Sequence, residues 1–289
     1  VTIDLLVDAK NVLGEGPVWD VTEQRLYWVD ILGRTVQCCS ARGDELQTWR
    51  VPGDVGALAL RKSGGAVVAL RDGFFALDLA TGSCSRIAEP IEESGTRFND
   101  GKVDRRGRFF AGTMDYAEKE SSGALYRLDG NLSYACVERS VMVSNGPCWS
   151  PDDRIFYFTD TWTDTIFAYD YDIETGVATN RRAWHSTLGE PGYPDGSTVD
   201  ADGCLWTAHA YGSCIYRYTP AGDVDRVIEM PVPNVTSVMF GGRALDVLFI
   251  TSMVQPTVGE PGPLLPGAGG LFAITGLGVC GLPETRFAG

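Results

Sequence analysis

The chain has 289 residues, with 24 Lys and Arg against 38 Asp and Glu, a formal net charge of −14. At 44% hydrophobic and 21% charged residues it has the composition of a globular protein, neither disordered nor membrane-embedded. The acidic excess argues against a nucleic-acid partner or an anionic membrane surface, because both need a basic face.

From the N-terminus, Val1–Asp8 has neither a basic start nor a long apolar core. No secretory leader is therefore expected, and the cytoplasm is the expected compartment. Further along, sustained helical periodicity is missing. Short runs rich in Val, Ile, Tyr, Phe, Trp and Thr alternate with Asp-Gly, Gly-Gly and Pro-Asp turns, which marks many short antiparallel strands. The strongest runs are Leu26–Asp30, Ala66–Leu70, Phe109–Thr113, Ile155–Thr159, Leu205–Ala208 and Val247–Thr251. They begin roughly 40 to 50 residues apart, the period of four-stranded propeller blades. A more Gly-rich strand precedes each, and a second alternating strand follows, as in Phe74–Asp78, Ala124–Leu128 and Thr165–Tyr169.

The last unit is one strand short, and Ile3–Val7 is available to supply it, which would join the chain ends and remove a free sheet edge. The expected fold is all-β: one six-bladed β-propeller domain over residues 1–289, with four antiparallel strands per blade and the N-terminal strand closing the last blade. Two stacked β-sandwiches would give no reason for the near-equal spacing. The eight cysteines form no C-x-x-C pair and read as small apolar residues of strands.

Aligning the first strands of the six units sets Glu15, Val55, Asn99, Asn145, Asp195 and Val235 in one register. All six should then meet at one end of the central channel. Two carboxylates and two amide oxygens, with no thiol or imidazole beside them, suit one hard divalent cation. Calcium is the expected ion; oxygen ligands also admit Zn²⁺, Mg²⁺, Mn²⁺ and Fe²⁺. The cation would offset the repulsion between Glu15 and Asp195.

Other motifs lead nowhere. The chain has no G-x-S-x-G and no H-E-x-x-H, and its two histidines are His185, expected at the surface, and His209, expected to pack. Gly276-x-Gly278-x-x-Gly281 follows a strand, but Pro283 and the chain end leave no room for the helix a dinucleotide site needs. Asp200-Ala-Asp-Gly203 reads as a hairpin turn rather than a calcium loop, since the downstream Glu is missing.

At the same residues the chain resembles the senescence-marker-protein/gluconolactonase/regucalcin family. The resemblance is carried, in family order, by Leu13-Gly-Glu-Gly-Pro17 with Tyr27–Ile31 and by Arg97-Phe-Asn-Asp-Gly-Lys102 with Ala111-Gly-Thr-Met114. It continues with Ser144-Asn-Gly-Pro147 and Phe158-Thr-Asp-Thr161, then Tyr193-Pro-Asp-Gly196 and Asp202–Trp206, so it spans nearly the whole chain. It implies a six-bladed propeller with one divalent cation at the channel mouth, and many members hydrolyse sugar lactones. Carried over by position, it implies metal ligands Glu15, Asn145 and Asp195, Asn99 beside the metal, and Arg97 on the substrate. Animal members carry a substrate-contacting Glu three positions after the A-G-T-M segment; here that position is Ala117, with Glu118 and Asp115 as the nearby acids of that wall. Tyr193–Ser197 and Trp206–His209 look more like bacterial pentose and hexose aldonolactonases.

The expected activity is metal-assisted hydrolysis of an aldono-1,4- or 1,5-lactone to the aldonic acid, with Asp195 orienting or deprotonating the attacking water. The expected partner is a small-molecule sugar lactone, with no protein partner implied. The alternatives are a phosphotriesterase or other lactone hydrolase on the same site, and a calcium-binding regulatory protein without turnover.

Overall fold

A computed structural model describes residues 1–91, 95–257, 259 and 263–289. Its strands form six four-stranded antiparallel sheets arranged as the blades of a propeller. The innermost strands are Gly14–Asp20, Val55–Leu60, Thr96–Val103, Ser144–Trp149, Tyr193–Val199 and Val235–Gly241. The second strands are Arg25–Asp30, Ala66–Leu70, Phe109–Asp115, Ile155–Asp160, Leu205–Ala210 and Val247–Ser252, which coincide with the six apolar runs of the sequence. These strands are almost wholly buried on both faces, because each blade is sandwiched between two neighbours.

The propeller closes as the spacing implies. Thr2–Val7 pairs antiparallel with Leu271–Thr275 and becomes the outermost strand of the last blade. Aromatic side chains fill the wedges between blades. Trp19 stacks on Phe249 at 5.5 Å between the first and last blades, and Trp206 meets Phe240 edge-on at 5.6 Å between the fifth and sixth. The C-terminal tail crosses the end of the ring opposite the aligned residues. It bridges at Gly281 to Asp200 and at Phe287 to Arg61, and Phe287 is fully buried among blade-two and blade-three residues.

Asp200–Gly203 forms a tight turn between strands, and the Asp200 carboxylate accepts bonds from Trp206 Nε1 (2.8 Å) and Arg217 Nε (2.8 Å). No disulfide joins any of the eight cysteines, and five of them are buried. Among the described residues no helix is long and apolar enough to cross a membrane.

One feature of the inner strands prepares the site. In every blade the ladder between the first and second strands slips at the aligned position: Glu15/Val18, Val55/Ala57, Phe98/Gly101, Asn145/Cys148, Pro194/Ser197 and Val235/Ser237. A bulge inserts a residue into one strand and re-aims its side chain. The backbone adapts through glycine. Gly146 sits at φ +57°, and a Cβ on Gly196 would come within 2.0 Å of Ser237 Oγ.

Candidate metal centre and active site

Glu15, Asn99, Asn145 and Asp195 line one cleft at the mouth of the channel, together with Arg97 and Glu118. The first four are 3%, 5%, 2% and 7% exposed, so they are core residues by burial although polar by chemistry. The two remaining register positions, Val55 and Val235, are fully buried and give that part of the ring apolar walls.

A chain of hydrogen bonds fixes the amides. Arg97 Nη1 donates to Asn99 Oδ1 at 2.7 Å, and Asn99 Nδ2 donates to Asn145 Oδ1 at 2.9 Å. Asn145 Nδ2 donates to Thr161 Oγ1 at 2.9 Å, and the Thr161 hydroxyl donates to the Pro194 carbonyl at 2.9 Å. Both amide oxygens are thereby oriented, and the relay ends on the backbone that carries Asp195. Thr161 lies on a single 3₁₀ turn, Thr161–Thr163, after the second strand of the fourth blade. The next residue, Trp162, donates from Nε1 to Glu118 Oε2 at 3.1 Å and holds that carboxylate at the cleft.

The two ring carboxylates are treated differently. Among the described residues their only hydrogen bonds come from the backbone N–H of the next residue: Gly16 to Glu15 at 3.0 Å, and Gly196 to Asp195. A buried carboxylate without a partner costs several kcal/mol, on the order of that needed to unfold a marginal protein. Burial, then the neighbouring Asp100 carboxylate, holds Glu15 well above the usual carboxylate range. Burial, then Glu15, Asp100 and Glu118, does the same to Asp195. Burial alone lowers Arg97, against the pull of the surrounding acids.

This is the electrostatic form of a cation cradle: oxygen atoms of fixed orientation and an excess of negative charge, with Arg97 the one cationic side chain among the described residues that line the cleft. Among the described residues no cluster of three or more His, Cys, Asp or Glu side chains is poised around a metal. An ion here would therefore rest on carboxylate and amide oxygens together, a hard donor set.

Asp115 is placed otherwise. Its carboxylate accepts the backbone N–H groups of Lys119 (2.9 Å) and Glu120 (3.1 Å), capping the turn at the cleft's edge, and it does not line the cleft. That turn throws Glu118, at φ +57°, inward instead. Sequence reasoning passed over Asp100, which is buried beside Asn99 and accepts from Gly146 N at 2.9 Å. Strand alternation would turn neighbours 99 and 100 to opposite sides; the bulge lets both reach the fourth blade. It also passed over Thr161, although Thr161 closes the Phe158-Thr-Asp-Thr161 segment already singled out. His185 is partly buried rather than at the surface, held by Glu190 Oε1 at 3.0 Å, and His209 is fully buried against Tyr216.

Fold and site together define a six-bladed propeller whose channel mouth presents a carboxylate–amide ring. A family model described as "SMP-30/Gluconolactonase/LRE-like region" matches residues 13–254, and the chain belongs to that family. It is 37% identical to regucalcin of Danio rerio over 100% of this chain and 99% of that one. It is also 37% identical to the 6-deoxy-6-sulfogluconolactonase of Pseudomonas putida, again over 100% and 99% of the two chains. A crystal structure described as a calcium-binding protein, regucalcin, from Agrobacterium tumefaciens superposes with a TM-score of 0.90 at 27% identity, covering 98% of this chain and 96% of that one.

Proposed function

We propose that this protein hydrolyses a sugar lactone, an aldono-1,4- or 1,5-lactone, to the aldonic acid, with one divalent cation held by Glu15, Asn145 and Asp195. The observation that carries the reading is the pair of buried carboxylates with no hydrogen-bond partner among the described residues beyond adjacent backbone, set against two oriented amide oxygens and a guanidinium. The kinship with a relative named as a 6-deoxy-6-sulfogluconolactonase supports the reaction class, and the calcium-binding description of a structural neighbour supports calcium.

When bound, the cation supplies Lewis-acid polarisation of the lactone carbonyl and charge to stabilise the oxyanion. The chain's own residues do the rest. Asp195 accepts a hydrogen bond from the attacking water, takes its proton as the C–O bond forms, and returns it to the ring oxygen as the ring C–O bond breaks. Asn99 and Arg97 hold the ring oxygen or hydroxyls of the sugar, and Arg97 balances the carboxylate that appears when the ring C–O bond breaks. Glu118, fixed by Trp162, faces the sugar hydroxyls as an acceptor. The Pro194 carbonyl, pinned by Thr161, keeps Asp195 from rotating out of line.

The test is elemental analysis of the purified protein combined with a pH-indicator screen of pentono- and hexonolactones beside a paraoxon-like ester. Lactone turnover that is abolished by chelation and restored by added cation is expected. Cation binding with no turnover of any sugar lactone would refute hydrolysis and leave a calcium-binding regulatory protein. Preferential turnover of the ester would reassign the substrate class.

A further inference from the structure

The cleft around the ring holds only about 40 Å³, little more than a water's share of liquid volume, whereas small-molecule sites span roughly 300–1,000 Å³. A hexonolactone must therefore extend beyond it. On the same face of the propeller, at the top of the second blade, lies a second cleft of about 660 Å³. Their linings adjoin along one strand: Thr96 lines the larger cleft, and the next residue, Arg97, lines the smaller. Val55, the second blade's register residue, contributes no ligand to the ring, so this blade is free to serve the rest of the substrate.

Tyr116 stands between the two. Its hydroxyl donates to Asp54 Oδ2 at 3.0 Å, which anchors it to the larger cleft. The Arg71 guanidinium lies 4.9 Å from its ring centroid and the Arg97 guanidinium 6.0 Å, so one ring is flanked by a cation from each cleft. The other two arginines of the larger cleft are committed: Arg34 to Asp54 at 2.8 Å, and Arg86 to Asp72 and Glu89. Each of the three carboxylates among the described residues lining this cleft, Asp54, Asp72 and Glu89, thus already has an arginine partner. Arg71 alone has no carboxylate partner among the described residues; its charge rests on the Tyr116 face. In a protein of net charge −14, an unpaired guanidinium at the edge of a substrate cleft is a place for an anion.

We infer that this cleft is a substrate subsite: it takes the end of the sugar lactone remote from the carbonyl, and Arg71 recognises an oxyanion there, such as a terminal phosphate, sulfonate or carboxylate. The planar guanidinium offers two parallel N–H donors to such a group, and stacking on Tyr116 pre-orients it. The inference rests on the lactonase reading of the neighbouring ring and specifies its substrate class as an anionic aldonolactone.

The experiment compares the cation-loaded wild type with Arg71→Met on glucono-1,5-lactone and its 6-phosphate, and measures 6-phosphogluconate binding by calorimetry. The wild type should prefer the phosphorylated lactone. Arg71→Met should lower kcat/KM for it at least tenfold, mainly through KM, while glucono-1,5-lactone stays within about twofold. Binding of 6-phosphogluconate should weaken by the same factor. Arg71→Lys should recover part of both. Turnover of the neutral lactone with no Arg71-dependent preference would overturn the subsite and leave the lactonase reading intact. No turnover of either lactone, with 6-phosphogluconate binding still Arg71-dependent, would overturn the lactonase reading and leave the anion site standing. Arg71-independent binding in that case removes both.

Discussion

Replacing Asp195 with Asn tests whether the ring exists to hold a cation, because the change has opposite effects with and without the ion. The amide is isosteric, so packing is kept and one charge is deleted. In the metal-free protein Asp195 is 7% exposed, faces Glu15 and Asp100, and among the described residues is hydrogen-bonded only by a backbone N–H. An unpaired buried carboxylate costs several kcal/mol, and the neutral amide should recover about 2 of them. Asp195→Asn should therefore melt several degrees higher than the wild type in chelator, at roughly 2–4 °C per kcal/mol for a chain of this size.

With cation the order reverses. At a thousandfold excess over Kd the wild type gains about 4 kcal/mol by mass action. Losing one charged partner of a buried pair costs about 3–5 kcal/mol, on the order of a thousandfold in affinity. At the same cation concentration the variant would then sit near its own Kd and gain only about 0.4 kcal/mol. The assay is thermal denaturation of both proteins at neutral pH, in chelator and in millimolar calcium, with lactone turnover measured alongside. A variant that is less stable under both conditions, or that calcium stabilises as much as the wild type, would show that Asp195 is a structural residue and sink the cation cradle.

The same shifts set a pH dependence. Glu15 and Asp195 are raised, so the stability they contribute in the metal-free protein is present below the ordinary carboxylate range and is lost as pH rises through their higher folded-state values. The melting temperature of Glu15→Gln minus that of wild type, in chelator, should grow from pH 4 toward neutrality; a difference independent of pH would contradict this. Phe287→Ala removes a fully buried ring from the tail and should cost roughly 3–5 kcal/mol, read as a lower denaturation midpoint with kcat/KM at 25 °C little changed. Unchanged stability would show that the tail does not brace the propeller. Deleting residues 1–7 exposes the Leu271–Thr275 edge and should yield a less cooperative, self-associating protein by calorimetry and size exclusion; a monodisperse, equally stable product would show that ring closure by this strand is dispensable.

Much of this protein is legible one residue at a time. The six apolar runs and the turns between them mark strands because period-2 alternation and turn chemistry are local properties. Their even spacing then implies a ring, and the ring's pseudo-symmetry brings Glu15, Asn99, Asn145 and Asp195 together across about 180 residues. Even the closing strand can be placed by counting, since the last unit lacks one and Ile3–Val7 is the spare; the strand formed is Thr2–Val7.

What the chain could not show by itself is where the ladder slips. A bulge is a two-strand event, decided when the second strand is laid beside the first. It turns Asn99 and Asp100 toward the same neighbouring blade, where alternation would have parted them. Nor could it distinguish Asp115, whose carboxylate is taken by its own turn, from Glu118, which that turn aims into the cleft. Thr161 enters the relay, and Arg71 stands without an acid among the described residues, only because loops from separate blades settle at one end of the ring. Local pattern determines which residues can be strands and which can bear charge. Whether a charge is satisfied depends on neighbours brought in by folding, and at this site that decides which groups remain free to bind.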